Sequence, residues 1–148
     1  EGKVLKENVN TTKLNGRDID RVFFWSGLFL HKPHRAAQAQ RSVPADGIYV
    51  ASYNYGSPAN RYKIVPMRRI VEIDGNPVTT AEDFVQLVKG KKHRDSVMIK
   101  TLDFDNKPEV ITLKLDNHYW PFYEVKYQSG QWQKVDHTPM DFKLTYRE

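Results

Sequence analysis

The 148-residue sequence contains no cysteine. Disulfide bonds, thiolate metal sites and cysteine nucleophiles are therefore excluded, and the chain fits a reducing compartment. Long apolar runs are missing as well, since no stretch approaches the ~18 residues that a membrane-spanning helix needs. No signal peptide opens the chain, so we expect an intracellular protein without membrane contact. The first residue is Glu rather than Met, which predicts a fragment of a longer protein.

Motifs for nucleophilic catalysis are missing too. No serine stands in a Gly-x-Ser-x-Gly or Gly-Asn-Ser-Gly-Gly setting, so we expect no enzymatic activity in this chain. His31 and His34 suggest a metal pair, but Pro33 breaks a helical pairing between them and no second pair follows at ligand spacing. Asp103 and Asp105 fall in a predicted hairpin turn, where Asp side chains accept backbone hydrogen bonds. The sequence thus predicts no catalytic residue, no metal and no cofactor.

Positive charge is in modest excess, with a net charge of +5 and a pI near 9.3. This balance permits an acidic partner without requiring one. The densest basic run is Lys89–Arg94 (KGKKHR). It fits either a solvated loop after a helix, where cations complement the helix dipole, or a nuclear-localisation or nucleic-acid patch. No aromatic residues interleave with these charges as base stacking would require, so we favour the solvated loop.

Hydrophobic residues make up 39% of the chain and aromatic residues 12%, which predicts a folded protein. Residues 1–16 are polar and without periodicity, and we interpret them as a linker or arm. Beyond them, β-branched and aromatic runs alternate with turn residues. Strands are predicted at 21–31 (interrupted by a loop or bulge at Gly27), 47–53, 69–73, 96–102 and 109–115. Helices are predicted as a short turn at most within 32–40, as one turn from Pro58, and from 80 to 88.

The predicted helix over residues 80–88 has the clearest local signals. Thr80 is a good N-cap, and Asp83 three residues later completes a pattern that resembles a capping box. Phe84, Leu87 and Val88 follow at the spacing that places side chains on one helix face. Gly90 then ends the helix.

These elements predict an α+β fold: a partly open β-barrel or sandwich of about five to six strands with two helices. We divide the chain into the arm 1–16, a domain at 17–116 and a β-rich extension at 117–148. The extension predicts a hairpin, followed by a third strand in which Phe142, Leu144 and Tyr146 alternate. Such aromatic density is rarely exposed, so the extension should dock on the domain, on the rest of the parent protein or on a second copy.

Two motifs carry a resemblance to a known family. Residues 47–90, GIYVASYNYGSPANRYKI…RRIVEIDGNPVTTAEDFVQLVKG, are similar to the centre of PDZ domains of the HtrA protease type. Such domains run strand, Gly-Ser-Pro-Ala turn, short helix, I-x-x-I-[ND]-G-x-P-[VI] and groove helix, and the likeness covers residues 17–116. The motif Asp116–Pro121 (DNHYWP) further resembles the large HtrA-like serine proteases of fungi and plants. Those proteins carry duplicated protease and PDZ segments, and the fungal ones are described as nuclear and pro-apoptotic.

The resemblance implies a PDZ-like fold with HtrA-type strand order and a groove between a strand and a helix. A peptide would add there as an antiparallel strand, and backbone N–H groups of a Gly-containing loop would hold its terminal carboxylate. The implied peptide-binding residues are Trp25, Ser26, Gly27 and Leu28 in the loop, Leu28, Phe29, Leu30 and His31 along the strand edge, and Phe84, Leu87 and Val88 on the helix. The same helix face would also fit a core without any ligand.

Three functions follow from these observations. The first is a non-catalytic PDZ-like module of an HtrA-like serine protease that binds peptide C-termini or internal strands, for substrate recognition or regulation. The second is a structural or assembly domain whose groove is occluded by its own extension or by a neighbouring domain. The third is nucleic-acid contact through Lys89–Arg94. The expected partners are peptide or protein C-termini or other domains of the same protease, with self-association as a further option, in the nucleus or cytoplasm.

Strand 28–31 would be an exposed apolar sheet edge, which natural proteins usually cover or charge. We therefore expect an extension of the chain or a neighbouring copy to cover it, with 117–148 richer in strand-forming residues than 1–16. Ser26 stands where the family usually has an apolar residue, which implies a less apolar pocket for the peptide terminus. Both features predict weak peptide binding.

Overall fold

The computed structural model describes residues 4–11, 18–40 and 44–138. Within these ranges the chain forms nine strands and three helices, and every strand pairing is antiparallel. The elements are β1 (Arg21–Trp25), β2 (Leu28–His31), α1 (Arg35–Ala39), β3 (Ile48–Tyr53), α2 (Pro58–Arg61), β4 (Arg69–Ile73), β5 (Asn76–Pro77), α3 (Ala81–Val88), β6 (Ser96–Leu102), β7 (Pro108–Lys114), β8 (Tyr123–Gln128) and β9 (Gln131–Asp136).

The strands form one sheet in the order β7-β6-β4-β3-β2-β1-β8-β9, with β5 paired to β4. One hydrophobic cluster joins strands on both sides of β2 with α2 and α3. It includes Phe23 from β1, Leu30 from β2, Ile70 from β4, Phe84 from α3 and Val97 from β6, all with no exposed surface. The predicted α+β class is thus confirmed, as an open, mostly antiparallel sheet with short helices.

Helix α3 begins as its sequence predicts. The Asp83 N–H donates to Thr80 Oγ1 at 3.2 Å, and the Thr80 N–H donates to Asp83 Oδ2 at 2.8 Å, which makes a capping box. Phe84 and Val88 are buried as expected, but Val85 is buried as well while Leu87 is only half-buried. The buried face of α3 is therefore turned slightly from the predicted one.

The segment around Gly27 is a hairpin rather than a single interrupted strand. Ser26 and Gly27 both have positive φ angles, of 52° and 81°, as the tight two-residue turns that join twisted strands require. Trp25 pairs with Leu28 directly across this turn. The irregularity that we predicted at Gly27 lies instead between Phe29 and Leu30, where the register of β2 against β3 shifts.

The C-terminal extension continues the same sheet. Strand β8 pairs with β1, and β9 pairs with β8, which confirms the predicted hairpin. The predicted third strand with Phe142, Leu144 and Tyr146 lies outside the described residues. Of the N-terminal arm, residues 4–11 are described; they are exposed and have no helix or strand. None of the helices in the described ranges combines the length and apolarity needed to cross a membrane.

Candidate binding groove between β2 and α3

The structure brings the predicted site residues together. Trp25 ends β1, Ser26 and Gly27 form the turn, and β2 follows at Leu28–His31. Helix α3 carries the three predicted residues of the opposite wall. All ten predicted residues are buried except Phe29 and Leu87, which are half-buried. No open apolar surface is therefore left at this place in the described chain.

Strand β2 is not a sheet edge. It pairs with β3 on one side and with β1 on the other, where Phe23 lies opposite Leu30. The prediction that Leu28–His31 forms an exposed edge is therefore wrong. The cover also comes from an unexpected segment: residues 21–25 pair with β2, and in the described part of the extension β8 pairs with the other edge of β1. The two-residue turn favours this result, because it places β1 alongside β2 as the two arms of one hairpin.

Strand β1 packs on α3 through alternate side chains. Phe23 and Trp25 are 0% and 1% exposed, and their rings lie 5.4 and 5.6 Å from the ring of Phe84. Alternation places both side chains on the face that meets the helix, while Phe24 points to the other face and stacks on Tyr123. Strand β1 therefore occupies the space between β2 and α3 that an added peptide strand would take.

The turn at 26–27 is held by the start of α2. The N–H groups of Ala59 and Asn54 donate to the carbonyl oxygens of Ser26 and Gly27, at 3.1 and 2.8 Å. A Cβ atom at Gly27 would lie only 2.1 Å from the Cβ of Ser57, so glycine is required for this close approach as well as for its positive φ. The hydroxyl of Ser26 is buried and has no hydrogen-bond partner among the described residues.

A cluster of charged residues links β1 to helix α3 and to strand β8. Arg21 forms ion pairs with Glu82 on α3 and with Glu124 on β8. The side chain of Glu124 is only 3% exposed and also lies 3.1 Å from Nε2 of His137. Burial alone would raise the pKa of Glu124, but hydrogen bonds from Arg21 and His137 outweigh that effect and lower it. Arg21 thus fixes the start of β1 against the helix and the extension.

This cluster predicts an acid-sensitive contribution to stability. The folded-state pKa of Glu124 lies below its ordinary value of 4.5, so its carboxylate stabilises the fold above that pH. The stabilisation is lost as the pH falls through the folded-state pKa. We expect Glu124→Gln to lower the free energy of unfolding by about 2 kcal/mol at neutral pH, with a smaller difference in acid.

Denaturant melts of wild type and Glu124→Gln between neutral pH and about pH 3 would measure this difference, a range that brackets the ordinary glutamate pKa. Asp136→Asn is the matched control, because Asp136 is an exposed carboxylate on the adjacent strand whose one ion pair among the described residues is with Lys134. This substitution should change the free energy of unfolding by no more than about 0.5 kcal/mol. A Glu124→Gln cost that stays constant over the whole pH range would contradict the assignment.

The histidines, Asp103 and the basic run, which the sequence analysis also considered, contact neighbouring residues of the fold. His31 and His34 pack with Tyr49, and burial lowers the pKa of His31. The carboxylate of Asp103 accepts hydrogen bonds from backbone N–H groups of its own turn, as predicted. In the basic run, Lys91 pairs with Asp74 at 2.6 Å.

Two residues of the groove were not among those predicted from the sequence. Phe23 and Arg21 belong to β1, which we treated only as the first part of an interrupted strand. The alternation of Phe23 and Trp25 before a Ser-Gly pair was the available signal, since Ser-Gly marks a turn and the run before it has strand character. The pairing of Arg21 with Glu124 had no such signal, because the two residues lie 103 positions apart.

Comparisons with known proteins agree with this fold. No family model matches the chain. The chain is 34% identical over 138 residues to Protease Do-like 7 of Arabidopsis thaliana, an alignment that covers 90% of the chain and 13% of that protein. It is 33% identical over 136 residues to the pro-apoptotic serine protease NMA111 of Meyerozyma guilliermondii, with coverage of 91% and 14%. The chain therefore spans about one seventh of the length of these relatives.

A solved structure supports the fold independently. The HtrA3 PDZ domain, bound to the phage-derived ligand FGRWV, superimposes with a TM-score of 0.52 and 15% sequence identity. The match covers 65% of this chain and 89% of that domain. The chain is thus homologous to one segment of the HtrA-like proteases, and it folds as a PDZ domain.

Proposed function

We propose that this chain is a non-catalytic recognition module of an HtrA-like serine protease, which binds extended peptides by strand addition along β2. The observation that supports this most directly is the placement of β1 between β2 and α3, where it lies antiparallel to β2 and inserts Phe23 and Trp25 against Phe84. The groove is therefore built to accept a strand with alternating apolar side chains. In the described chain that strand is its own.

The composition of β1 matches a ligand of a related fold. The HtrA3 PDZ domain binds FGRWV, and β1 reads RVFFW, so both are five-residue segments that contain Phe, Arg, Trp and Val. An external peptide would replace β1 beside Leu28–His31 and meet Phe84, Leu87 and Val88 on the helix. Ser26 and Gly27 would supply backbone N–H groups for its terminal carboxylate.

Occupancy by β1 makes external binding weak. A peptide binds only the fraction of molecules in which β1 has left the groove, so the apparent dissociation constant rises in inverse proportion to that fraction. Each ~1.4 kcal/mol needed to detach β1 weakens binding tenfold. The expected partners are peptide or protein C-termini, or strands of other domains in the same protease, presented at high local concentration.

The proposal is tested with the peptide FGRWV as the first probe, in free-acid and C-terminally amidated forms. We expect weak binding to the wild-type chain and at least tenfold tighter binding to Phe23→Ala, because this variant removes a contact of β1 with Phe84 while the side chains of β2 and α3 are kept. Phe24→Ala is the matched control: Phe24 is the adjacent aromatic of the same strand, but it faces away from the helix. A loss of affinity on amidation would identify recognition of a C-terminus.

Two results would overturn peptide recognition. One is equal affinity of wild type, Phe23→Ala and Phe24→Ala for the probe. The other is the absence of any binder in a random C-terminal peptide library screened against folded Phe23→Ala. Either would favour the second candidate function, a structural domain with a permanently filled groove. The bridging of β1 to α3 and β8 by Arg21 speaks for that alternative.

Amide exchange reports the state of the groove directly. We expect the amides of Leu28, Phe29 and Leu30 to exchange slowly in the peptide-free chain, because β2 is paired on both sides. Hydrogen-exchange mass spectrometry or NMR would measure the rates, and the exposed residues 4–11 provide the fast reference within the same molecule. Exchange of Leu28–Leu30 as fast as this reference would show that β1 leaves the groove open in solution.

A further inference from the structure

A second cavity, separate from the β2–α3 groove, has a volume of about 490 Å³. It lies between α2, the loop that joins α3 to β6, and the residues that follow β7. Its charged residues and histidines are Arg61, His93, Arg94, Lys114, Asp116 and His118. The volume falls in the range of small-molecule sites in proteins.

The charge of this cavity is unbalanced. Arg61, Arg94 and Lys114 are three permanent cations, and Asp116 is the one carboxylate that lines the cavity, which leaves a net charge of +2 with neutral histidines. Asp116 is already engaged, because it lies 3.6 Å from Nδ1 of His93 and accepts the Tyr119 N–H at 3.4 Å. Among the described residues, no salt bridge joins any of the three cations to a carboxylate. The single carboxylate of Asp116 therefore leaves the positive charge of the cavity in excess.

Two motifs of the sequence that the groove does not use meet in this cavity. One is the end of the basic run, His93-Arg94, and the other is the beginning of the DNHYWP motif at Asp116. Two hydrogen bonds to backbone carbonyl groups hold the two segments together. The Arg94 N–H donates to the Leu115 carbonyl at 3.0 Å, and the Asn117 side chain donates to the Lys91 carbonyl at 2.9 Å. The cations are thus carried by segments that are fixed to each other before any ligand arrives.

We propose that this cavity binds a phosphate monoester. A terminal phosphate carries close to two negative charges at neutral pH and three accepting oxygens, which matches a +2 site with two guanidinium groups that donate in pairs. A concave site favours such an end group over a continuous phosphodiester backbone, which needs an extended basic track. The phosphate belongs either to a free compound or to a phosphorylated side chain of a protein segment. This site is independent of the proposed peptide groove.

Calorimetric titration of the 148-residue chain tests the proposal, with glycerol 1-phosphate and a phosphoserine-containing peptide as probes. The titration is run at about 150 mM salt, where long-range attraction is screened. We expect saturable binding and at least a tenfold loss of affinity in Arg61→Gln/Arg94→Gln. The matched control is Lys89→Gln/Lys92→Gln, which removes the same charge from exposed residues outside the cavity and should change affinity less than twofold. Circular dichroism checks that both variants are folded.

The two probes distinguish the source of the phosphate. Tighter binding of the phosphopeptide identifies a protein segment, and tighter binding of glycerol 1-phosphate identifies a free phosphate compound; both support the site. The absence of saturable binding of either probe would overturn it. So would equal losses in the two double variants, or preferential binding of a random-sequence DNA oligonucleotide that both variants weaken alike, since these results mean non-specific attraction to the basic run.

Discussion

Gly27→Ala is expected to lower the free energy of unfolding by about 3–5 kcal/mol, which combines the cost of a left-handed alanine with that of overpacking. The φ angle of Gly27 is +81°, and an added Cβ would lie 2.1 Å from the Cβ of Ser57 and 3.2 Å from the ring of Trp120. Neither neighbour can yield easily, because Ser57 is the N-cap of α2 and its hydroxyl accepts the Asn60 N–H. The strain therefore falls on the turn that joins β1 to β2.

Gly75→Ala is the matched control for this prediction. Gly75 has nearly the same φ angle, +79°, but nothing lies within 4 Å of its added Cβ. Its substitution should cost only the backbone strain, about 1–2 kcal/mol. Equilibrium unfolding in urea measures both values. Equal costs at the two glycines would show that α2 does not approach the turn as closely as the structure has it.

Phe84→Ala should cost about 3–5 kcal/mol, as truncation of a fully buried aromatic residue does. The ring of Phe84 has no exposed surface and contacts three other aromatic rings, those of Phe23, Trp25 and Phe122. Its removal leaves a cavity where β1, α3 and the segment before β8 meet. We expect accelerated amide exchange in β1 as well as lower global stability, both measurable on the same sample.

Leu87→Ala provides the comparison on the same helix. Leu87 is half-buried and packs at the margin of the core, so its truncation should cost about 1 kcal/mol, well below the values for fully buried leucines. A Leu87→Ala cost equal to that of Phe84→Ala would contradict the observed orientation of α3. Unchanged peptide affinity in Leu87→Ala would remove this residue from the proposed groove.

The structure could be predicted from the sequence where contacts between residues close in the chain determine it. The capping pair Thr80 and Asp83 specifies the start of α3 with side chains three residues apart, and the Asp103 turn follows from an equally local pattern. The Asp74–Val78 signature then placed α3 within a PDZ-type fold. Each of these inferences depends on contacts within a few positions of the chain.

The neighbours of β2 could not be predicted in the same way. A strand such as Leu28–His31 has the same apolar, β-branched or aromatic character whether it ends a sheet or lies inside one, so its composition does not reveal its pairing. The decisive contacts are distant: β8 meets β1 across about a hundred residues, and Phe122 reaches Phe84 across nearly forty. The position of His93 and Arg94 beside Asp116 was hidden for the same reason.

The continuity of the sheet across β1 sets the size of the unit that must move for the groove to open. Strand β1 is the only described strand that connects β8 and β9 to the rest of the sheet. A two-stranded hairpin without a neighbour is marginally stable in water, so residues 123–136 would lose their support whenever 21–25 detach. Opening of the groove therefore requires the cooperative, sub-global unfolding of three strands rather than the fraying of one. The open state is for this reason rarely populated and slow to form.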